Sequence, residues 1–483
     1  MPAEGAYTAG DFLVDELRLI TTSGMEIDLI KSFMSITLYE DIFSMTITGK
    51  ISIMDAVNIA SHGPLLGQEY LHLKIRTPNF KEKSDIIDFS KNAFLVHSIS
   101  KRQNIGNGIQ GYVLSFVSQE LVKNQRIKVT QSLIDPWSDI VKKMLVDYLD
   151  TKKKITIEPS TGVKKFVAPN MRPLDIIVLG TKQAISTFKG EPTYLFYETL
   201  KGFNFRTLTS LYDEPSLLEY VPFEPGTNII PDGQRGAGAV DVHKEMRNVL
   251  NYEIVSNNDY IVNYRTGMLG SRLITHDIVS KSYETEVYNY FDNFPNESHI
   301  VSGVTTGIEE FPIVSELFVD EKGKRASDFP GARTFLMPTS LAGGVDSQHT
   351  TENNTNPYMA YDPHKWLQRR NSQMMQLENG LNVNISVYGN TLISAGDIVE
   401  LNLKFATTIR GPRDETRDRF YRGPFLIKRI KHEFFNMEIP QHKMEMSLVK
   451  DSLEEELSDA GLIEPSAETG DGVEDYVYGD IFP

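Results

Sequence analysis

The sequence predicts a mainly β protein with α+β insertions: two similar antiparallel β-barrels and two inserted domains. Three observations carry that expectation. Short runs alternate apolar and polar side chains, glycines and charged stretches fall between those runs, and one ordered set of runs occurs near both ends of the chain.

In the first copy, Ile51-Ser-Ile53 leads to Gly67, then Leu71-His-Leu73-Lys74, Phe94-Leu-Val-His-Ser-Ile-Ser100 and Ser115-Phe-Val-Ser-Gln-Glu-Leu121. In the second, Ile385-Ser-Val387 leads to Gly396, then Leu401-Asn-Leu403-Lys404, Phe425-Leu-Ile-Lys-Arg-Ile-Lys431 and Ser447-Leu-Val-Lys-Asp-Ser-Leu453. Glycine to phenylalanine spans 27 residues in one and 29 in the other; phenylalanine to serine spans 21 and 22. A repeated supersecondary unit serves symmetry or extended surface, whereas a catalytic pocket needs one copy of its chemistry.

Taken in order, residues 1–120 are expected to form the first barrel and 121–221 an α+β inserted domain. Within 118–150, Leu121, Ile127, Leu133, Ile134, Ile140, Val141, Met144, Leu145 and Tyr148 recur near helical spacing, and Asp135-Pro136 marks a helix start. Ile155-Thr-Ile157 reads as a strand, Arg172 to Leu179 as a helix opening at Pro173, and Tyr194–Tyr197 with Phe203–Arg206 as a hairpin turning at Lys201-Gly202. The Pro- and Gly-rich stretch 222–239 is a connector. Strands are expected again at Val249–Tyr252, Tyr260–Val262 and Ser271–Ile274, so that 222–290 and 378–453 together make a discontinuous second barrel. The irregular, polar 291–377 is a loop-rich insertion, and 454–483 is an acidic tail.

Length and composition bound the class. A chain of 483 residues is too long for one core. Hydrophobic content of 40%, mean hydropathy of −0.28 and no apolar run of membrane-spanning length point to a soluble protein without membrane insertion. Met1-Pro-Ala-Glu-Gly5 lacks the basic and apolar regions of a signal peptide, and the absence of cysteine excludes disulfides, thiolate metal sites and cysteine nucleophiles. Synthesis and folding in a cytoplasm are the simplest expectation.

The net charge of −16 is concentrated: residues 451–483 hold eleven Asp and Glu with no Lys or Arg, leaving −5 for the remaining 450 residues. A general basic surface for nucleic acid is disfavoured, while a mildly acidic one suits a conduit through which DNA slides without sticking. The tail reads either as a solvated end or, through Tyr476, Tyr478 and Phe482, as a segment that docks on a partner.

Catalytic and cofactor motifs are missing. Gly106-Asn-Gly-Ile-Gln-Gly111 matches a dinucleotide string, but Tyr112–Phe116 after it alternates as a strand where the fingerprint needs a helix, so it is read as a hairpin turn. Phosphate-loop, zinc-protease, calcium-loop and nucleophile-elbow strings do not occur. The histidines show no helical metal-ligand pairing; His432 and His442 fall on or beside adjacent strands, where packing is the expected role. No catalytic residue, cofactor or metal is assigned, and the protein is read as a structural one rather than an enzyme.

One charged feature recurs. Arg76, Lys81, Lys83 and Lys91 lie between the Lys74 and Phe94 strands, and Arg410, Arg413, Arg417, Arg419 and Arg422 between the Lys404 and Phe425 strands. These are either solvated hairpin loops or equivalent contacts with equivalent partner surfaces, where Arg forks onto carboxylates.

The order of Ser35-Ile-Thr-Leu-Tyr-Glu-Asp-Ile-Phe43, Gly49-Lys-Ile-Ser-Ile53, Gly67-Gln-Glu-Tyr-Leu71, Gly202-Phe-Asn-Phe-Arg206, Tyr388-Gly-Asn-Thr391, Ala395-Gly-Asp397, Gly423-Pro-Phe-Leu-Ile427 and Met446 to Leu453 resembles the central baseplate hub of T-even-type contractile-tailed bacteriophages. The resemblance spans about residues 10–453 and leaves the tail and much of 291–377 uncovered. It implies tail-tube-like barrels and a homotrimer whose pseudo-six-fold ring joins the hexameric tail tube protein to a trimeric central spike protein. It also implies contact with other baseplate proteins, a lumen for tape-measure protein and DNA, and a place in the virion. The hub of another contractile injection system, such as type VI secretion, and a hexameric distal-tail or tube-initiator ring are the alternatives; spike proteins of the former continue into a long needle, which with 30 residues after Leu453 is expected here to be a separate chain.

Overall fold

Along Tyr70–Arg76 the interior takes Leu71, Leu73 and Ile75 while Tyr70, His72, Lys74 and Arg76 lie on the other face, and this two-residue period organises both ends of the chain. The computed structural model describes residues 8–456 except 64, 79–85, 107, 224–240, 258, 278–280, 302–308, 317–319, 340–365, 405–416 and 437.

The first unit contains β1 (Leu13–Ile20), β2 (Glu26–Asp28), β3 (Phe33–Asp41), β4 (Thr48–Asp55), β5 (Tyr70–Arg76), β6 (Ile86–Asp88), β7 (Phe94–Gly106) and β8 (Ile109–Ser118). Its principal strands lie in the order β1-β5-β7-β8-β4-β3 around a core that includes Leu17, Ile36, Leu38, Ile51, Leu73, Phe94 and Phe116.

The α+β insertion follows, with β9 (Val129–Asp135), β10 (Ile155–Ile157), β11 (Lys164–Met171), β12 (Tyr194–Thr199) and β13 (Gly202–Thr207) around a core of its own built on Trp137, Ile140, Leu174, Ile177 and Phe205. The helix Trp137–Lys143 starts after Pro136 and the helix Pro173–Gln183 at its proline, as the sequence implies. The expectation of helix throughout 118–150 is corrected at β9, which pairs with β11; Val129 and Leu133 fill the core from one side of that strand.

The second unit is built from β14 (Glu219–Pro222) and β15 (Asn248–Asn257) before the next insertion, and from later strands after it. That insertion holds β16 (Gly270–Asp277), β17 (Ser282–Asn289), β18 (Phe311–Pro312) and β19 (Thr334–Thr339). Two expectations fail here. Tyr260–Thr266 is a helix, because Asp259 accepts the Val262 N–H as an N-cap and Gly267 closes it in the left-handed region. The strands at 270–289, expected in the second barrel, instead pair with β19 in a separate three-stranded sheet.

The chain then runs through the helix Leu367–Asn379 into β20 (Leu381–Tyr388), β21 (Ile398–Lys404), β22 (Arg417–Phe435), β23 (Gln441–Lys450) and β24 (Ser452–Leu453). Strands β14-β21-β22-β23-β20-β15 repeat the first unit's order and close through β14–β15 into a six-stranded barrel over Val383, Ile385, Leu401, Phe425, Ile427, Met446 and Leu448. Burying each such side chain contributes roughly 1.5–3 kcal/mol, which makes the apolar alternation the main source of each unit's stability.

The duplication holds residue by residue. Ile51 faces Leu114 across β4–β8 as Ile385 faces Met446 across β20–β23. A β-bulge falls between Val96 and Ser98 on β7 and between Ile427 and Arg429 on β22; a second falls between Phe33 and Ser35 on β3 and between Val249 and Asn251 on β15. The units differ in closure: among the described residues β1 and β3 do not pair, and β14 runs parallel to both its neighbours.

Candidate assembly interface

The free side of β3 is taken by the second unit, through a strand long enough to serve both. One edge of the 19-residue β22 pairs with β21 from Arg417 to Leu426, then passes to β3, where Arg429 faces Asp41 and Phe435 faces Ser35. Its other edge pairs with β23 from Leu426 to Phe435. Two units thereby share one sheet.

Side chains lock this junction. The Arg429 guanidinium donates to Asp41 Oδ2 at 2.7 Å, Ile42 N–H to the Lys428 carbonyl at 3.0 Å, and the Asn436 amide to the Phe33 carbonyl at 2.9 Å. Phe434 leaves the second unit's strand to enter the first unit's core, edge-on to Phe12 at 5.2 Å.

Beneath the same strands lies a dry polar node. His432 Nδ1 is 3.1 Å from His442 Nε2, and His432 Nε2 is 3.6 Å from Glu40 Oε1, all three residues being buried. Glu40 also accepts the backbone N–H groups of Ala395 at 2.8 Å and Leu200 at 3.3 Å, so one carboxylate ties β3 to the β20–β21 turn and to the α+β insertion. Burial, and then the neighbouring His432, drive His442 well below the ordinary histidine range. The two histidines do meet across strands, and both are buried.

Two further nodes fix the insertions. Lys153 lies between Glu120 at 2.7 Å and Glu198 at 2.6 Å, and Glu198 accepts from Ser118 Oγ and from the Ile47 N–H. Burial opposes the ammonium, but the two carboxylates raise Lys153 above its ordinary value, so the pairings hold the charge in place. In the other node, His299 has Asp451 Oδ2 at 3.1 Å from Nδ1 and the Phe294 carbonyl at 3.1 Å from Nε2. Both ring nitrogens face acceptors, which only an imidazolium satisfies; burial opposes that charge, but Asp451 raises His299 to about 8. Burial pushes nearby Glu297 up to about 7 against the pull of Arg369.

The concave wall over β3, β22, β23, β20 and β15 forms a groove of about 670 Å³. Two of its three cations are paired with carboxylates, Arg429 with Asp41 and Lys431 with Glu433 at 2.9 Å and Glu445 at 3.1 Å, while Lys428 donates to the Asn382 amide oxygen and the Leu377 carbonyl.

The charged segments flagged by the sequence follow β5 and β21 in chain order. Arg76 pairs with Asp15 at 3.2 Å inside its own unit. Arg417 and Arg419 begin β22, their side chains outside the described set; Lys81, Lys83, Arg410, Arg413, Tyr476, Tyr478 and Phe482 lie outside the described residues. Arg422 binds Glu454 and Glu455 after β24, tying β22 to the start of the acidic tail. Sequence reasoning missed Glu40, Glu198 and Lys153, whose partners are distant along the chain. Among the described residues no group of three or more His, Asp or Glu is placed to hold a metal ion, and no helix is long and apolar enough to cross a membrane.

No family model and no curated protein matches this sequence. Solved structures do. A tail protein from Neisseria meningitidis MC58 aligns at 10% identity and TM-score 0.49 over 90% of this chain and 96% of its own. The 43 kDa tail protein of prophage MuSo2 from Shewanella oneidensis aligns at 9% identity and TM-score 0.46, over 90% and 98%. An E. coli component of the type VI secretion system aligns at 8% identity and TM-score 0.38, over 91% and 76%.

Proposed function

We propose that this chain is a structural hub of a contractile tail, assembling as a homotrimer in the virion baseplate. The carrying observation is the residue-by-residue duplication: two units of one strand order, with matching bulges, sharing β22. A cyclic ring of n chains that each carry two near-equivalent lobes presents 2n similar surfaces, so three chains offer pseudo-six-fold symmetry on one face while remaining three-fold on another. That arrangement joins a hexameric tail tube protein to a trimeric central spike protein, with other baseplate proteins around it and the lumen as passage for tape-measure protein and DNA. The carboxylate-paired Arg429 and Lys431 of the β22 wall suit a surface past which a polyanion slides. Arg76, Lys81, Lys83, Arg410, Arg413, Arg417 and Arg419 are the proposed contacts with tube and baseplate, and Tyr476, Tyr478 and Phe482 the proposed docking residues of the tail.

Native mass spectrometry with negative-stain imaging of the concentrated full chain tests this reading. Three-chain rings with six similar lobes are expected. Six-chain rings would replace the hub by a tube-initiator ring, and a monomer at all concentrations would remove the symmetry argument.

A further inference from the structure

The junction that β3 and β22 make inside the chain has a second half-site on each unit. The equivalent of β22 is β7, and β5 covers only its Phe94 and Leu95; from Ser98 to Ile105 the edge away from β8 is unpaired among the described residues. The equivalent of β3 is β15, and β14 covers only its Asn248 and Val249; from Leu250 to Val255 the edge away from β20 is unpaired among the described residues. An uncovered pair of strand edges is a template for adding strands, and proteins ordinarily blunt it.

The exposure of matched residues indicates that these edges are unfinished. Ile36 and Leu38 of β3, covered by β22, are 0% exposed; their counterparts Tyr252 and Ile254 on β15 are 43% and 42% exposed, and Val255 is 55% exposed. On the complementary side Phe434 of β22 is 0% exposed, whereas its counterpart on β7, Asn104, is exposed and the bulge residue beside it, Ile105, is 53% exposed. Apolar side chains that one unit buries at the junction are left to solvent by the other.

We propose that β7 of one chain pairs antiparallel with β15 of the next, repeating between chains the β3–β22 junction within the chain. This inference rests on the ring reading above and names its subunit contact. The occupant is a second copy because the only junction of this shape in the described residues is made by the chain with itself, and both half-sites lie on one molecule. The contact is head-to-tail, with different surfaces on the two partners, and such contacts form a ring where the rotation between neighbours closes. The intrachain register transfers directly. Glu433 faces Thr37 and Phe434 faces Ile36 in the template, which puts Gln103 of one chain opposite Glu253 of the next, and Asn104 opposite Tyr252.

The chain has no cysteine, so paired cysteines report the contact without background. The full-length double variants Gln103→Cys/Glu253→Cys and Asn104→Cys/Tyr252→Cys cover both kinds of facing position in an antiparallel ladder, of which the closer is the better disulfide geometry. Oxidation of the concentrated protein is expected to give a reducible ladder ending at three chains, and an equal mixture of the two single variants of a pair is expected to stop at dimers. Three-chain particles in which neither pair crosslinks would overturn this contact and leave the ring reading standing. Crosslinking that runs past three chains would support the contact and overturn the trimer. Absence of both particles and crosslinks would overturn the two together.

Discussion

His432 Nδ1 and His442 Nε2 face each other at 3.1 Å in a dry site under the strand that joins the two units. That spacing admits one N–H between the rings, donated by one and accepted by the other, and protonating His442 puts a cation in a buried site where the Glu40 carboxylate lies 3.6 Å from His432.

Acid is therefore expected to weaken the junction. The folded state holds His442 far below the ordinary range of about 6.5, while the unfolded chain takes up its proton normally. The resulting stability is present above about pH 6.5 and is lost as pH falls below it. Melting temperatures from pH 8 to 5 should fall on the acid side, and His442→Gln should flatten that limb. An unchanged slope in the variant would remove His442 as the cause.

Alkali is expected to act at a different node. His299 is raised to about 8, so its contribution is complete below about pH 6.5 and lost as pH rises through 8. The shift corresponds to about 2 kcal/mol. Unfolding free energies from denaturant titration at pH 7 and pH 9 should differ in the wild type by about 1 kcal/mol, part of the effect being already lost at pH 7, and that difference should shrink in His299→Gln.

Lys153→Met should destabilise strongly, because Glu120 and Glu198 lose their shared cation in a buried site. Breaking one side of such a pairing costs about 3–5 kcal/mol. Urea unfolding measures it, and a loss below about 1 kcal/mol would show that solvent reaches the carboxylates.

Ile254→Lys should leave the monomer's melting temperature within a few degrees, since the side chain is 42% exposed, while abolishing self-association. Sedimentation at matched concentrations reads the second effect. Persisting rings would place the subunit contact elsewhere.

Charge reversal of Arg413, Arg417 and Arg419 to Glu should impair assembly with tube and baseplate partners while the protein stays folded. Circular dichroism and co-sedimentation with assembled tube separate the two, and unimpaired co-sedimentation would remove these arginines as partner contacts.

Much of the β architecture was legible because a strand with one dry face writes its period directly into the chain, as Leu71, Leu73 and Ile75 do. The copied Gly67 and Gly396, both at positive φ, punctuate the two units alike. Short apolar runs were less legible. Tyr260–Val262 became a helix because caps at Asp259 and Gly267 outweighed its apolar run, and the strands at 270–289 left the barrel for β19, a partner about sixty residues further on.

By itself the sequence determined the duplicated strand order, the lack of cysteine chemistry and the concentration of negative charge in the last residues, since each is a property of neighbours along the chain. Only the tertiary structure decided that β22 serves two units, that Glu40 meets His432, and that the edges of β7 and β15 stay open. Those features join residues hundreds of positions apart. Backbone pairing and desolvation act across space, and no local period records which strand edge another strand will cover.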